Sequence, residues 1–152
     1  MAITTQEARQ QILDDLAAAT DQIAMAVASL GAAFELLPVG TGERLEDELF
    51  RPVQKAYGRA KRTHSAFAER CGLAARAFEL PGAGTTSQGA KGFVAKATGA
   101  VAEADRLVAE LQDSLLPIEA GDAELRSGLS EVRELLAGES TTARQFLRAL
   151  GR

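Results

Sequence analysis

Apolar residues recur at alternating steps of three and four along most of this 152-residue chain. Such steps place the apolar side chains on one stripe of an α-helix, as in helical bundles and coiled coils. Four of these stripes, called seams below, follow one another along the chain. They comprise Leu13, Leu16, Thr20, Ile23, Val27, Leu30, Phe34 and Leu37 in the first, Phe50, Val53, Tyr57, Ala60, His64, Phe67, Cys71 and Ala74 in the second, Ala90, Val94, Ala97, Val101, Ala104, Val108, Leu111 and Leu115 in the third, and Leu125, Leu129, Val132, Leu136, Glu139, Ala143, Phe146 and Leu150 in the fourth. The seams predict an all-α protein.

Turn-forming residues and helix caps set the expected boundaries of the helices. Thr4 with Glu7, and Thr85 with Gln88, have the spacing of a capping box, and Asp122 is a suitable N-cap. Proline and glycine between the seams mark the turns. We therefore predict helices over residues 4–37, 43–77, 85–116 and 122–150.

The lengths and connections of these segments favour one topology. Four helices of similar length with short connections are typical of an antiparallel up-down-up-down four-helix bundle, here a single domain covering residues 1–152. The alternative is a pair of helical hairpins that completes its core by dimerising. Pro52 is expected either to kink the second helix or to mark its start, and Gly138 is expected to interrupt the fourth. The chain has 30 alanines, and those that flank the first seam, such as Ala17, Ala24 and Ala26, allow a neighbouring helix to approach closely.

Composition narrows the classes of function. The 17 basic and 21 acidic residues leave a net charge of −4, which argues against a nucleic-acid partner. Cys71 is the one cysteine, so an internal disulfide is excluded and a reduced compartment is expected. The first residues lack the basic stretch and apolar core of a signal peptide, and no uninterrupted apolar run approaches ~18 residues. We therefore expect a cytoplasmic protein without a membrane partner.

Three polar residues interrupt the seams, namely Thr20, His64 and Glu139. A lone buried charge costs several kcal/mol, so an ionisable group in a seam needs a partner. Where two antiparallel helices pack side by side, the residue numbers of two residues at the same height add up to a constant. In the predicted bundle this sum is about 80 for the first and second helices, about 162 for the second and third, and about 240 for the third and fourth. These sums bring the three residues into one layer, with Tyr57 at its edge. We therefore predict a ligand-binding layer of His64, Glu139, Tyr57 and Thr20, with His64 in contact with Glu139.

Simpler interpretations of the same residues remain open. A single histidine in a helical seam is more often a hydrogen-bonded core residue than a site. A helix break at Gly138 would expose the Glu139 carboxylate to solvent, and Thr142 and Gln145 would then cap a short final helix.

The residue types of the chain do not fit the known catalytic and metal-binding chemistries of helical bundles. A di-iron centre needs four carboxylates and two histidines, and His64 is the one histidine. Cys71 follows His64 by two helical turns, about 10 Å, which is too far for a direct proton relay. We therefore predict no catalytic residues, no metal centre and no cofactor.

The segment from Arg62 to Ala68 loosely resembles the motif of histidine-phosphotransfer domains, which are helical bundles with one reactive histidine. Phe67 stands where that family usually has lysine, and Ala68 where it usually has glycine. The histidine of the family faces solvent, whereas His64 lies in a seam. These departures argue against phosphotransfer.

A basic stripe lies opposite the seam of the second helix and comprises Arg51, Lys55, Arg59 and Arg62. It can bind an anion or an acidic partner, although a solvated helix face has the same appearance. Acidic residues cluster around the fourth helix, and this asymmetry can orient an assembly. We therefore predict a non-enzymatic interaction or scaffold protein that binds a protein partner or a second copy of itself, as in a homodimer. The alternative is a bundle that binds a small ligand or metal near His64 and Glu139.

Overall fold

The structure, a computed structural model, describes residues 4–151. All the regular secondary structure in this part of the chain is helical, which confirms the all-α prediction. The helices are α1 (Thr5–Glu35), α2 (Val39–Leu45), a π-helical segment (Glu46–Phe50), α3 (Arg51–Cys71), a 3₁₀ turn (Thr86–Gln88), α4 (Gly89–Asp113), α5 (Leu116–Glu119), α6 (Ala123–Leu136) and α7 (Glu139–Leu150).

Helix α1 begins at the predicted capping box. The Thr4 hydroxyl accepts a hydrogen bond from the Glu7 backbone N–H, and the Glu7 carboxylate accepts one from the Thr4 N–H. The seam is buried from Leu13 to Leu30 and reaches solvent only near its end, at Phe34. The helix is long and apolar enough to span a bilayer, but 61% of its most apolar window is buried inside the protein. Packing against other helices accounts for that apolar composition.

Helices α2 and α3 form one continuous helical stretch interrupted by the π-helical segment. Proline lacks an N–H and its ring clashes with the carbonyl four residues earlier, so Pro52 cannot continue a regular α-helix. Just before Pro52 the helix has the wider π-helical form, in which the Arg51 N–H donates to the Glu46 carbonyl five residues earlier. Pro52 lies in the first turn of α3, so it marks the start of that helix, but the continuous helical stretch begins earlier than predicted, at Val39.

The second helix ends at Cys71, six residues before the predicted end. Gly72 adopts the left-handed conformation, with φ of 68°, and the Leu73 N–H donates to the Ala68 carbonyl. This is a Schellman C-cap, in which glycine avoids the strain that a side chain would bring. The chain then has no helix until Thr86, so the connection is much longer than the predicted loop over 80–84.

This connection, residues 72–85, is called the strap below. Arg76 donates two hydrogen bonds to the Asp21 carboxylate of α1, both 2.8 Å long. The Phe78 ring packs edge-on against the His64 ring, with the centroids 5.1 Å apart. Near the end of the strap, the Ala83 carbonyl accepts a hydrogen bond from the Lys96 ammonium of α4. The strap therefore crosses α1 and α3 before it reaches α4.

The helices that contact one another are not all the pairs that the predicted bundle places side by side. Helix α1 packs most extensively against α4 and also packs against α3, while α6 packs against α3 and α4. Side-chain pairs show that α3 runs opposite to α1, from Phe50 beside Gly31 to the Cys71 carbonyl at Gln6. Helix α4 also runs opposite to α1, because Ala97 lies beside Leu30 and the chain after α4 reaches Arg9 through the Ala120 carbonyl. The expected antiparallel packing of the second and third segments is therefore wrong, because the strap carries the chain past α1 before α4 begins.

The boundaries in the second half are only partly as predicted. Thr85 makes no side-chain cap, so the second capping box is not formed, and α4 begins at Gly89. Asp122 caps α6 as predicted, accepting from the Leu125 N–H at 2.8 Å. The fourth segment forms two helices, because α6 ends at Leu136 and α7 begins at Glu139.

Candidate functional site

His64 is a buried core residue, with 2% of its surface exposed. Its Nδ1 has no hydrogen-bond partner within residues 4–151. Burial lowers the pKa of the ring below its usual value, and the nearby Arg76 guanidinium lowers it further. A histidine covered in this way by Phe78 is not available to exchange a phosphoryl group with a partner.

Glu139 is also buried, with 8% of its surface exposed, and the break at Gly138 does not turn it towards solvent. Its Oε2 has no hydrogen-bond partner in the part of the chain that the structure describes. Burial raises the pKa of the carboxyl group to about 7. The expectation that the break exposes Glu139 is therefore wrong. The expected Thr142 cap is also wrong, because the N-cap of α7 is Gly138, four residues earlier.

The structure does not bring His64 and Glu139 together. His64 lies on the half of α3 that meets the start of α1, where Asp14 acts on it electrostatically, whereas Glu139 lies beside Leu30. Sixteen residues of α1 separate these levels, or roughly 24 Å at 1.5 Å per residue. The predicted contact is therefore wrong. It relied on the index sum between the second and third segments, and the strap removes that pairing.

Thr20 and Tyr57 do not complete a ligand layer either. The Thr20 hydroxyl donates to the Leu16 carbonyl of its own helix, which satisfies its donor. Tyr57 is buried on α3, and the Lys61 ammonium lies 4.2 Å from its ring centroid. The four residues of the predicted layer are all buried, but each has separate surroundings.

No group of three or more potential metal ligands occurs within residues 4–151. Cys71 is half-buried, and burial raises the pKa of its thiol, which opposes formation of a nucleophilic thiolate. The described side chains therefore offer no assembled set of catalytic or metal-ligating groups.

The basic stripe lines a surface groove between α3 and α6, called the basic groove below. The groove has a volume of about 430 Å³ and is also lined by residues that do not belong to the stripe. Its lining comprises Arg51, Gln54, Lys55, Gly58, Arg59, Arg62, Glu131 and Leu135. All four stripe residues therefore share one surface feature.

The four cations of the stripe differ in their partners. Arg59 is the least exposed and is hydrogen-bonded to the Glu131 carboxylate across the groove. Arg51 lies 3.3 Å from an Asp47 carboxylate oxygen at the end of the groove. Lys55 and Arg62 are exposed and form no ion pair with any residue from 4 to 151. Two cations of the groove are therefore free for an external anion.

A close helix crossing sets the geometry of the basic groove. Gly128 of α6 lies against Thr63 of α3, and an added Cβ at Gly128 would be 2.4 Å from the Thr63 hydroxyl oxygen. On the far side of this crossing, Arg70 donates to both oxygens of Asp122 and lies 3.0 Å from Glu124. Asp122 and Glu124 thus neutralise Arg70 at the end of α3 beyond Thr63, whereas Lys55 and Arg62 on the stripe side have no such partner among residues 4–151.

The lining residues Leu135 and Glu131 could have been found from the sequence only if α3 and α6 had been paired correctly. The glycine at 128, between the seam residues Leu125 and Leu129, was the available signal of a close crossing. Comparison with protein-family models, curated proteins and solved structures finds no match to this chain.

Proposed function

We propose that this protein is a non-enzymatic interaction module that binds an acidic segment of a protein partner along the basic groove. The observation that carries the proposal is the charge of α3. This helix holds six of the 17 basic residues of the chain and one of its 21 acidic residues. Its net charge is therefore +5, in a chain whose net charge is −4.

The arrangement of the groove supports an extended anionic partner more than a single small anion. Lys55 and Arg62 are seven residues apart on one helix, so they lie two turns or about 10 Å from each other. A segment with several carboxylates can reach both cations, and Leu135 in the lining of the groove offers an apolar contact. Complementary charge of this kind speeds association and selects partners, and its effect weakens as salt rises.

We also propose that the long helices form a four-helix bundle with one crossover connection, in a single cytoplasmic domain. The pairs α1–α3, α3–α6, α6–α4 and α4–α1 support this arrangement. In such a bundle α3 presents its seam to the core and its basic stripe to the surface. The rigid helices then hold the groove in place without a ligand.

The alternative function, a small-ligand or metal site around His64 and Glu139, receives no support from the geometry. The two side chains lie at different levels of the protein, and no described cavity contains both.

The proposal is tested by fluorescence anisotropy with a labelled oligoglutamate peptide. The test variant carries Lys55→Glu and Arg62→Glu. The control carries Lys91→Glu and Arg144→Glu, which change the net charge equally at exposed sites outside the groove. We expect the groove variant to bind at least about tenfold more weakly than the wild type, and the control to bind within about twofold.

Three results would contradict the proposal. Equal weakening in both variants would show a response to net charge alone. Tighter binding of a single-stranded oligonucleotide than of the peptide, with the same dependence on Lys55 and Arg62, would assign the groove to nucleic acid. A dimer of the wild type that the groove variant abolishes would assign it to a second copy of the chain.

A further inference from the structure

Helix α7 is docked onto the protein at a carboxyl group that lacks a hydrogen-bonding partner for one of its oxygens. Glu139 is the first residue of α7, and its Oε2 is buried with no donor within reach among residues 4–151. A buried carboxylate without donors is far less stable than a protonated carboxyl group. The docked position of α7 therefore favours the neutral form of Glu139.

The surroundings of Glu139 offer no charge to compensate it. The carboxyl group borders a small void of about 10 Å³ whose walls come from five elements. The other lining residues are Leu30 of α1, Leu49 of the π-helical segment, Val53 of α3, Ala97, Thr98 and Val101 of α4, and Ala143 of α7. None of these is charged or titratable in the physiological range, and the Thr98 hydroxyl donates to the Val94 carbonyl.

The chain has a hinge directly before Glu139. Gly138 adopts the left-handed conformation, with φ of 80°, and separates the end of α6 at Leu136 from the start of α7. Helix α7 has 12 residues and buries Ala143 and Phe146 against its neighbours. A short helix that buries few side chains can separate locally at a lower free energy than global unfolding requires. The hinge allows such a movement while α6 stays in place.

We propose that Glu139 is a pH-sensitive latch: α7 is docked while the carboxyl group is protonated, and ionisation releases α7 about the Gly138 hinge and uncovers an apolar surface that includes Leu49 and Phe146. The sign follows from burial, which raises the pKa of Glu139 to about 7 in the docked form. Release is therefore favoured as the pH rises through the neutral range. This inference is independent of the basic groove, whose lining contains no residue of α7.

Hydrogen exchange of the full chain tests the latch. Protection of the α7 amides relative to the α6 amides is measured at about pH 5 and about pH 8, corrected for intrinsic exchange. If release fully solvates the carboxyl group, a pKa of about 7 when docked and 4.5 when released implies a loss of α7 protection of roughly 70-fold between these values. Glu139→Gln, which mimics the neutral form, should show no such loss.

The control is Glu134→Gln, which removes an exposed carboxylate from α6 and should behave as the wild type. If Glu139→Gln does not fold, Glu139→Leu supplies the same comparison with an apolar side chain. Unchanged α7 protection in the wild type would overturn the proposal. So would a parallel loss of protection in α6 and α7, since that would indicate global unfolding.

Discussion

Replacing Gly128 by alanine is expected to force α3 and α6 apart at the crossing that shapes the basic groove. The added Cβ would be 2.4 Å from the Thr63 hydroxyl oxygen and 2.6 Å from its methyl carbon. Thr63 cannot easily turn away, because its hydroxyl donates to the Arg59 carbonyl and accepts from the Arg59 guanidinium. The helices must therefore separate, or this hydrogen-bonded arrangement must break.

Two opposing effects determine the magnitude of the change. Overpacking of a buried contact costs typically 1–3 kcal/mol. Alanine favours the helix over glycine by about 1 kcal/mol. We therefore expect Gly128→Ala to lower the free energy of unfolding by up to about 2 kcal/mol. At Gly99 of α4, where an added Cβ meets nothing within 4 Å, the same substitution should raise it by about 0.5–1 kcal/mol.

Urea denaturation of a double-mutant cycle checks the cause. Thr63→Ala removes the two nearest atoms and leaves the Thr63 Cβ, 3.0 Å from the added methyl group. In that background Gly128→Ala should cost much less, or become stabilising, so the two sites should couple by about 1 kcal/mol or more. Equal effects of Gly128→Ala in the two backgrounds would refute the proposed steric cause.

Three further outcomes follow from the buried groups and the strap. Glu139→Gln should raise the free energy of unfolding at about pH 8 by up to about 3 kcal/mol. The raised pKa of Glu139 stabilises the wild type fully only below pH 4.5, the pKa of the unfolded state, and this stabilisation is lost as the pH rises to about 7. Glutamine does not ionise, so the variant does not lose it. In urea titrations the gain should shrink towards pH 5, and a gain independent of pH would contradict the assignment. The His64 ring should be more than half neutral at pH 6.5 by NMR, since burial lowers its pKa. Phe78→Ala removes the ring that covers His64, so the pKa should move up towards 6.5, and an unchanged pKa would show that the strap does not shield it.

The sequence predicted the core well because helical periodicity is a local property. Seam residues such as Leu16, Val53 and Val132 are buried, and exposure is confined mostly to seam ends such as Phe34 and Leu115. The caps at Thr4 and Asp122 were also predictable, because a capping side chain bonds within three residues of its own position.

The packing arrangement of the helices was not predictable by the same reasoning, because it depends on the path of the strap between α3 and α4. A glycine at position 72, after Arg70 in the last turn, is a recognisable signal of a helix end. The apolar spacing continues to Ala74, however, and the helix was therefore predicted to extend beyond Gly72. The six residues wrongly assigned to helix belong to the strap, which is then long enough to pass α1. This error placed His64 and Glu139 in one layer and left the α3–α6 groove unpredicted.

The most direct test of the central claim, that the basic groove binds an acidic partner, is an NMR titration of ¹⁵N-labelled protein with the oligoglutamate peptide. The account predicts amide shift changes concentrated at Lys55, Arg62 and Leu135, which disappear in the Lys55→Glu, Arg62→Glu variant and shrink as ionic strength approaches about 0.15 M. Shift changes centred on another surface, or none in the groove at low salt, would contradict it.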